Sequence, residues 1–276
     1  MVERLKQFLS ENLREKITDQ ETKLLPSSYQ KIGKIIILNL KPELKKCEKE
    51  ICDLLLENIP NTETVCVRTD TIKDTFRIPS IKIISGKRST KTTHKENGII
   101  YNIDVKEVMF SKGNIEERKR IISQIKPNEK IIDMFAGIGY FSLGFGKFSE
   151  ANKIYSIELN PKSFDLLEKN IKQNKISNIV PINGDCVYEI TKLEKVDRIS
   201  MGYLPSAKNY LLDAMKVCKK GTIIHYHTIG TKDEDIFDDV KIAAKISGLK
   251  VELLEKTKVK SYKPKTYHYV LDCKIV

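Results

Sequence analysis

The segment Asp133-Met134-Phe135-Ala136-Gly137-Ile138-Gly139 places two glycines between an apolar run and a helical one. Glycines at such a turn admit backbone angles and a close ligand approach that a β-carbon blocks. The fuller G-x-G-x-x-G spacing that cradles a dinucleotide pyrophosphate is missing here, and Tyr140 follows the second glycine. The loop therefore fits a cofactor without a pyrophosphate. Glu158 closes the next apolar run, where a carboxylate can accept hydrogen bonds from both hydroxyls of a ribose. Asp185, in Asn183-Gly184-Asp185-Cys186, follows the third such run. A carboxylate there can accept from an adenine amino group, with the Cys186 N–H facing a ring nitrogen. Three acids at three successive strand ends describe an adenosine site along one sheet edge, which is where open α/β sheets bind ligands. Asp133 has a second reading, in which it orients the glycine turn without touching the ligand.

The elements that must position these residues alternate. Apolar runs predict strands over 131–135, 154–159, 179–182, 198–201 and 222–228. Helices are expected from about 140, over 160–174 with Asn160 as cap and Pro161 in its first turn, over 206–216, and over 233–247 with Gly248 as the stop. A further helix precedes them, with Asn114 as its expected cap and Glu116 and Glu117 at the positive end of its dipole. It ends at Lys126-Pro127. Two closing strands, 249–260 and 266–276, are joined by the short Tyr262-Lys263-Pro264-Lys265 connection and read as a hairpin. Strand–helix alternation implies a parallel doubly wound sheet. Before residue 108 the pattern is different: strands over 32–40, 65–67, 78–84 and 99–105 with one helix over 42–58, a small α+β module. Two domains are thus expected, 1–107 and 108–276.

A formal net charge of +12 over 276 residues suits a protein that meets a polyanion, because clustered Lys and Arg release the counterions condensed on phosphates. Two stretches hold basic residues and no carboxylate. One carries Arg77, Lys82, Lys87, Arg88, Lys91 and Lys95. The other carries Lys256, Lys258, Lys260, Lys263 and Lys265, with Tyr262, Tyr267 and His268 interleaved. Strand alternation predicts that Lys256, Lys258 and Lys260 share one face, where phosphates are held while a ring stacks on an unpaired base. The first ten residues have no apolar core of a signal peptide, and no run reaches the roughly 18 apolar residues of a membrane helix. A cytoplasmic protein is expected. Its six cysteines form no C-x-x-C pair and its four histidines no i,i+4 pair, so neither a metal site nor a disulfide framework is expected.

A parallel sheet ending in an antiparallel hairpin resembles the class I methyltransferases. Its seven-stranded mixed, Rossmann-like sheet implies an S-adenosylmethionine-dependent transferase. The resemblance narrows at three places: Phe110-Ser111-Lys112-Gly113-Asn114-Ile115-Glu116-Glu117-Arg118, the glycine loop through Ser142, and Tyr262-Lys263-Pro264-Lys265-Thr266-Tyr267-His268. Together they are similar to two paired archaeal and eukaryotic families that act at tRNA position 37. These are the guanine-37 N1-methyltransferases and the wybutosine-synthesis aminocarboxypropyltransferases. The resemblance covers residues 65–276 and includes Thr93-His94-Lys95-Glu96-Asn97-Gly98. The methyltransferases carry an Asn-(Leu/Pro)-Pro motif after the fourth strand, whereas this chain reads Gly202-Tyr203-Leu204-Pro205. They also carry Phe-Ser-Pro-Arg where this chain has Phe110-Ser111-Lys112-Gly113. Both departures match the aminocarboxypropyltransferases.

That resemblance implies attack on Cγ of the methionine moiety, with 5′-methylthioadenosine leaving. It implies that Ser111 and Arg118 hold the methionine tail, Arg118 pairing bidentately with its carboxylate. Residues Gly202, Tyr203, Leu204 and Pro205 would line the target base. That base would be the tricyclic 4-demethylwyosine at position 37 of tRNA-Phe, with C7 as nucleophile. The small N-terminal domain would contact the tRNA, and a monomer is expected. No catalytic base is assigned; Asp104 lies near the cofactor or is a structural acid at a strand end. The alternatives are a guanine-37 N1-methyltransferase, which would release S-adenosylhomocysteine, and a non-catalytic protein that binds S-adenosylmethionine and RNA.

Overall fold

The computed structural model describes residues 2–70, 78–110, 114–232 and 234–276. They form two compact units, Met1–Phe110 and Ser111–Val276. The first opens with two helices that the sequence reading missed, α1 (Val2–Asn12) and α2 (Asp19–Leu24). Leu5, Leu9 and Leu13 recur at four-residue spacing and are buried, as the stripe of an amphipathic helix should be. A reciprocal cap starts α2: the Thr18 hydroxyl accepts from the Glu21 N–H at 3.2 Å, and the Glu21 carboxylate accepts from the Thr18 N–H at 2.8 Å.

Strands β1 (Gln30–Ile32), β2 (Ile35–Leu38), β3 (Thr64–Arg68) and β4 (Ile81–Gly86) make one sheet in the order β1-β2-β3-β4. Helix α3 (Glu48–Asn58) packs on it after a 3-10 segment, Pro42–Cys47. The single strand expected over 32–40 is instead a hairpin. Gly33 takes a φ of +53° between β1 and β2, and a β-carbon there would lie 2.3 Å from the Thr93 carbonyl oxygen. Strands β5 (Lys91–Glu96) and β6 (Ile99–Asp104) pair antiparallel on their own. In β5, Lys91, Thr93 and Lys95 alternate outward while Thr92, His94 and Glu96 are half-covered.

The second unit runs α4 (Ile115–Ser123), β7 (Lys130–Asp133), α5 (Ser142–Phe148), β8 (Lys153–Glu158), α6 (Pro161–Gln173), β9 (Ile179–Asn183), α7 (Cys186–Glu189), β10 (Val196–Met201), α8 (Leu211–Met215), β11 (Cys218–Thr231), α9 (Asp238–Ile246), β12 (Val251–Lys263) and β13 (Thr266–Ile275). Its seven strands lie in the order β12-β13-β11-β10-β7-β8-β9. The five from β9 to β11 are parallel, and β13 is antiparallel to both β11 and β12. This is the seven-stranded mixed sheet with a terminal hairpin that the alternation implied. Chain order reverses between β7 and β10, so the loops after these strands diverge and leave a crevice at the carboxyl edge, the usual ligand position in such sheets.

Several local expectations change. Asn160 caps α6 as expected, accepting from the Lys162 N–H at 3.0 Å. Asn114 does not cap α4; its side-chain oxygen accepts from Lys260 Nζ at 2.9 Å instead. The helix expected over 206–216 shrinks to a 3-10 turn and α8. The last helix begins at Asp238; its expected start at Asp233 lies outside the described residues. Lys256, Lys258 and Lys260 do not share a face. Lys258 pairs with Tyr269 but Lys260 pairs with His268, so two residues of β12 span one step of β13. That bulge inverts the pleat. Lys256 and Lys258 lie over the rings of Tyr269 and Tyr267, at 4.8 and 3.5 Å, while Lys260 turns to the opposite face and reaches α4.

Candidate active site

The glycine loop leaves β7 at the reversal point. Gly137 and Gly139 have φ of +56° and +96°, which side chains with a β-carbon rarely adopt. Glu158, at the end of β8, spans the turn: one carboxylate oxygen accepts from the Gly137 N–H at 2.7 Å and the other from the Asn160 N–H at 2.8 Å. Burial pushes its carboxyl above the usual range, against the pull of these two N–H groups. Each oxygen has a second lone pair to offer a hydroxyl donor. Asp185 caps α7, accepting from the Val187 N–H at 2.9 Å through one oxygen. Its other oxygen has no partner among the described residues. The Cys186 side chain is buried in the core and its thiol is pushed up to about 12 by burial. Asp133 is wholly buried and accepts from the Ser142 hydroxyl at 2.6 Å. Burial raises its carboxyl to about 6. That geometry fits the second reading of Asp133, a brace between the end of β7 and the start of α5.

Gly202-Tyr203-Leu204-Pro205 leaves β10 across the crevice, with a cis bond before Pro205. The Tyr203 ring lies 5.1 Å from that of Phe135 in the glycine loop. A β-carbon on Gly202 would come within 2.9 Å of the Phe141 ring, and Phe141 is itself buried. Arg118 is not the solvated charge of an ordinary helix face. It is 6% exposed and its guanidinium sits 5.4 Å from the centre of the Tyr140 ring. Ser111 lies outside the described residues.

A buried polar network, unread in the sequence, holds α4 in place. Arg120 donates to both oxygens of Glu117, at 2.8 and 2.7 Å, and to both of Asp272 on β13, at 2.6 and 3.0 Å. Asp272 also accepts from His225 Nδ1 at 2.6 Å. His225 Nε2 meets Arg198 at 2.7 Å, and since Arg only donates, the His225 proton sits on Nδ1. Arg198 completes the chain with two bonds to Glu129, at 2.7 and 3.0 Å. Burial alone would raise the Asp272 carboxyl, but His225 and Arg120 hold it well below the carboxylate range. The only sequence signal was a charge inside each of two apolar strands, Arg198 and Asp272.

Next to this network, His227 on β11 and His268 on β13 meet at 3.1 Å between Nδ1 and Nε2. Burial, then Lys260, lowers His268 to about 4; burial, then His268, lowers His227 well below its ordinary value. The sign follows from linkage. Below 6.5 the unfolded chain binds a proton at His268 that the folded chain refuses, so stability falls as pH drops from about 6.5 to about 4. Relative to His268→Gln, the wild type should lose about 3 kcal/mol across that window. Urea titrations of both proteins at several pH values measure the difference, and parallel profiles would contradict the burial argument.

The TRM5/TYW2 methyltransferase domain matches residues 92–254, and the TYW2 N-terminal domain matches residues 9–90. The chain belongs to the TRM5/TYW2 family. The tRNA(Phe) (4-demethylwyosine(37)-C(7)) aminocarboxypropyltransferase of Methanocaldococcus jannaschii is 38% identical to it, across 89% of this chain and 97% of that one. A TRM5-type member, the tRNA (guanine(37)-N(1))-methyltransferase Trm5b of Pyrococcus abyssi, is 34% identical across 92% of this chain and 76% of its own. Among solved TYW2 structures, that of Pyrococcus horikoshii TYW2 in complex with MeSAdo superimposes with a TM-score of 0.82 at 33% identity, covering 98% of both chains.

Proposed function

We propose that the chain transfers the 3-amino-3-carboxypropyl group of S-adenosylmethionine to C7 of 4-demethylwyosine at position 37 of tRNA-Phe, releasing 5′-methylthioadenosine. Identity alone does not separate the two activities of the family, since relatives of both kinds lie within a few per cent of each other. The observation that carries the reading is Gly202. An Asn at that position, as in the methyltransferase motif, would have to displace the Phe141 ring. The match of residues 9–90 to a TYW2 N-terminal domain points the same way.

The site fits the donor. Glu158 has lone pairs left for the ribose hydroxyls, Asp185 an oxygen left for the adenine amino group, and the glycine turn admits close approach. Arg118 would hold the methionine carboxylate from α4, and Ser111, outside the described residues, is the second residue that the resemblance assigns to the tail. All three carbons on a sulfonium are electrophilic, so which one reacts depends on how the tail is held against the nucleophile. Gly202 to Pro205 would face the base. The exposed lysines of β5, and Lys256 and Lys258 over their tyrosines, would meet tRNA phosphates near the anticodon.

Incubation with S-adenosylmethionine and precursor-bearing tRNA-Phe tests the reading. Methylthioadenosine with an aminocarboxypropyl mass gain on the nucleoside is the expected result. S-adenosylhomocysteine with a methyl gain would overturn it. Glu158→Ala should weaken S-adenosylmethionine binding by roughly 1–3 kcal/mol, the worth of hydrogen bonds to a charged acceptor; unchanged affinity by calorimetry would remove Glu158 from the ribose site.

A further inference from the structure

Tyr140 follows the glycine turn, two residues before α5 begins, and its ring lies back over that turn. A β-carbon on Gly137 would come 2.5 Å from Tyr140 Cε2 and 2.7 Å from Cδ2, so the bare glycine makes room for the ring. The backbone below it is tied: the Tyr140 N–H donates to the Ala136 carbonyl at 3.2 Å, and the Gly139 N–H donates to the same oxygen at 2.8 Å. The Gly137 N–H is also the group that holds one oxygen of Glu158, at 2.7 Å. From α4, the Arg118 guanidinium lies 5.4 Å from the centre of the Tyr140 ring. Glu158, the Gly137 turn, the Tyr140 ring and Arg118 thus form one continuous run of contacts.

An arginine side chain has many rotamers, and ordering it for a ligand costs conformational entropy. A ring face that attracts the guanidinium removes part of that freedom in advance, and the attraction is strongest away from water. Arg118 meets that condition at 6% exposure. The helix that carries it is already fixed, because Arg120 binds Asp272 on β13 with two hydrogen bonds. With α4 anchored in this way, the ring acts on the Arg118 side chain rather than on the helix. Phe141, the next residue along, packs against Gly202. Two consecutive rings therefore serve two sides of the site, Tyr140 toward the donor tail and Phe141 toward the loop for the base.

We infer that Tyr140 positions Arg118 for the methionine carboxylate, so that Cγ of the donor faces the base. The inference rests on the proposed function, in which Glu158 holds the ribose and Arg118 the carboxylate. These are the two ends of the donor, and both are referenced to the same ring through Gly137 and the guanidinium. Between them lie the sulfonium and the bonds whose rotation turns Cγ, the methyl carbon or C5′ toward a nucleophile. Displacement at Cγ needs the nucleophile in line with the Cγ–S bond, and a small misplacement of the tail lowers the rate steeply. Tyr140 acts here through Arg118 and takes no part in the bond changes.

The donor and its spent form supply the test, because 5′-methylthioadenosine keeps the adenosine, the sulfur and the methyl group but lacks the tail. Calorimetry with both ligands is run on the wild type, Tyr140→Leu and Tyr140→Phe. Tyr140→Leu should weaken S-adenosylmethionine ~10-fold and leave methylthioadenosine within about twofold. That retained affinity also establishes that the variant is folded. Tyr140→Phe keeps the ring face and should bind both ligands as the wild type does. Adding Tyr140→Leu to Arg118→Lys should weaken the donor little further, since the ring has already lost the group it holds. At saturating donor, single-turnover transfer by Tyr140→Leu should be ~10-fold slower. Equal losses for the two ligands would make Tyr140 a brace of the turn and overturn the inference. So would unchanged donor affinity, an unchanged saturated rate, additive losses in the double variant, or a Tyr140→Phe protein as weak as Tyr140→Leu. A wild type that produces S-adenosylhomocysteine would overturn the proposed function and, with it, the presentation of Cγ, whereas the comparison of the two ligands tests Tyr140 alone.

Discussion

Arg198→Leu should destabilise the second unit by about 3–5 kcal/mol, the usual cost of removing one partner of a buried ion pair. Arg198 has no exposed surface, and its four hydrogen bonds go to Glu129 twice, to the Gln124 carbonyl and to His225. Leucine fills part of the volume but strands the Glu129 carboxylate, which is 8% exposed. The loss should appear as a lower urea midpoint at unchanged slope. Removing both charges is the informative control: Arg198→Leu with Glu129→Leu should recover much of the stability, because the penalty lies in the unpaired charge. A single-variant loss below about 1 kcal/mol would mean that water reaches Glu129 and that the network is looser than its distances imply.

Arg118→Lys keeps the charge and should still lower kcat/KM for S-adenosylmethionine ~10²-fold. A lysine ammonium offers neither the planar fork that grips a carboxylate at two points nor the flat face set against Tyr140. The effect corresponds to the roughly 1.5–3 kcal/mol of hydrogen bonds to charged groups. The tRNA affinity should change by less than about threefold, since Arg118 is buried and phosphate contacts come from exposed bases. Filter binding beside single-turnover rates separates the two. Near-normal transfer would remove Arg118 from the donor site. A parallel loss of tRNA affinity would place it on the RNA surface.

The sheet was legible because its central strands are continuous apolar runs bounded by turn residues. Glu158 and Asp185 were placed at the carboxyl edge for the same reason, because they stand at strand ends whose position depends only on local pattern. What escaped was non-local. The Asn114 cap failed because its side chain is claimed by Lys260, 146 residues away. Strand β5 was missed because its Lys-Thr-Thr-His-Lys-Glu sequence lacks apolar alternation and its partner is β6 alone. Helix α1 was missed because Leu5, Leu9 and Leu13 are diluted among charged residues, and α2 because its six residues bury none of their side chains and carry no apolar stripe. The Arg198–His225–Asp272 network draws one residue from each of three strands, so no window contains it. The same holds for His227 and His268: His268 read as a ring interleaved among exposed lysines, whereas the β11–β13 register buries it beside His227.

The bulge in β12 makes its length unusually consequential. Residues before it and after it obey opposite inside–outside rules, and a single extra residue is all that separates the two regimes. Shortening the strand by Thr257 would keep every lysine while changing an address: with Lys258 held opposite Tyr269, Lys256 would fall next to it and turn to the opposite face, away from the Tyr269 ring. A count of positive charge is blind to such a deletion. The hairpin should therefore accept substitutions at its tip far more readily than a change in the spacing of its lysines.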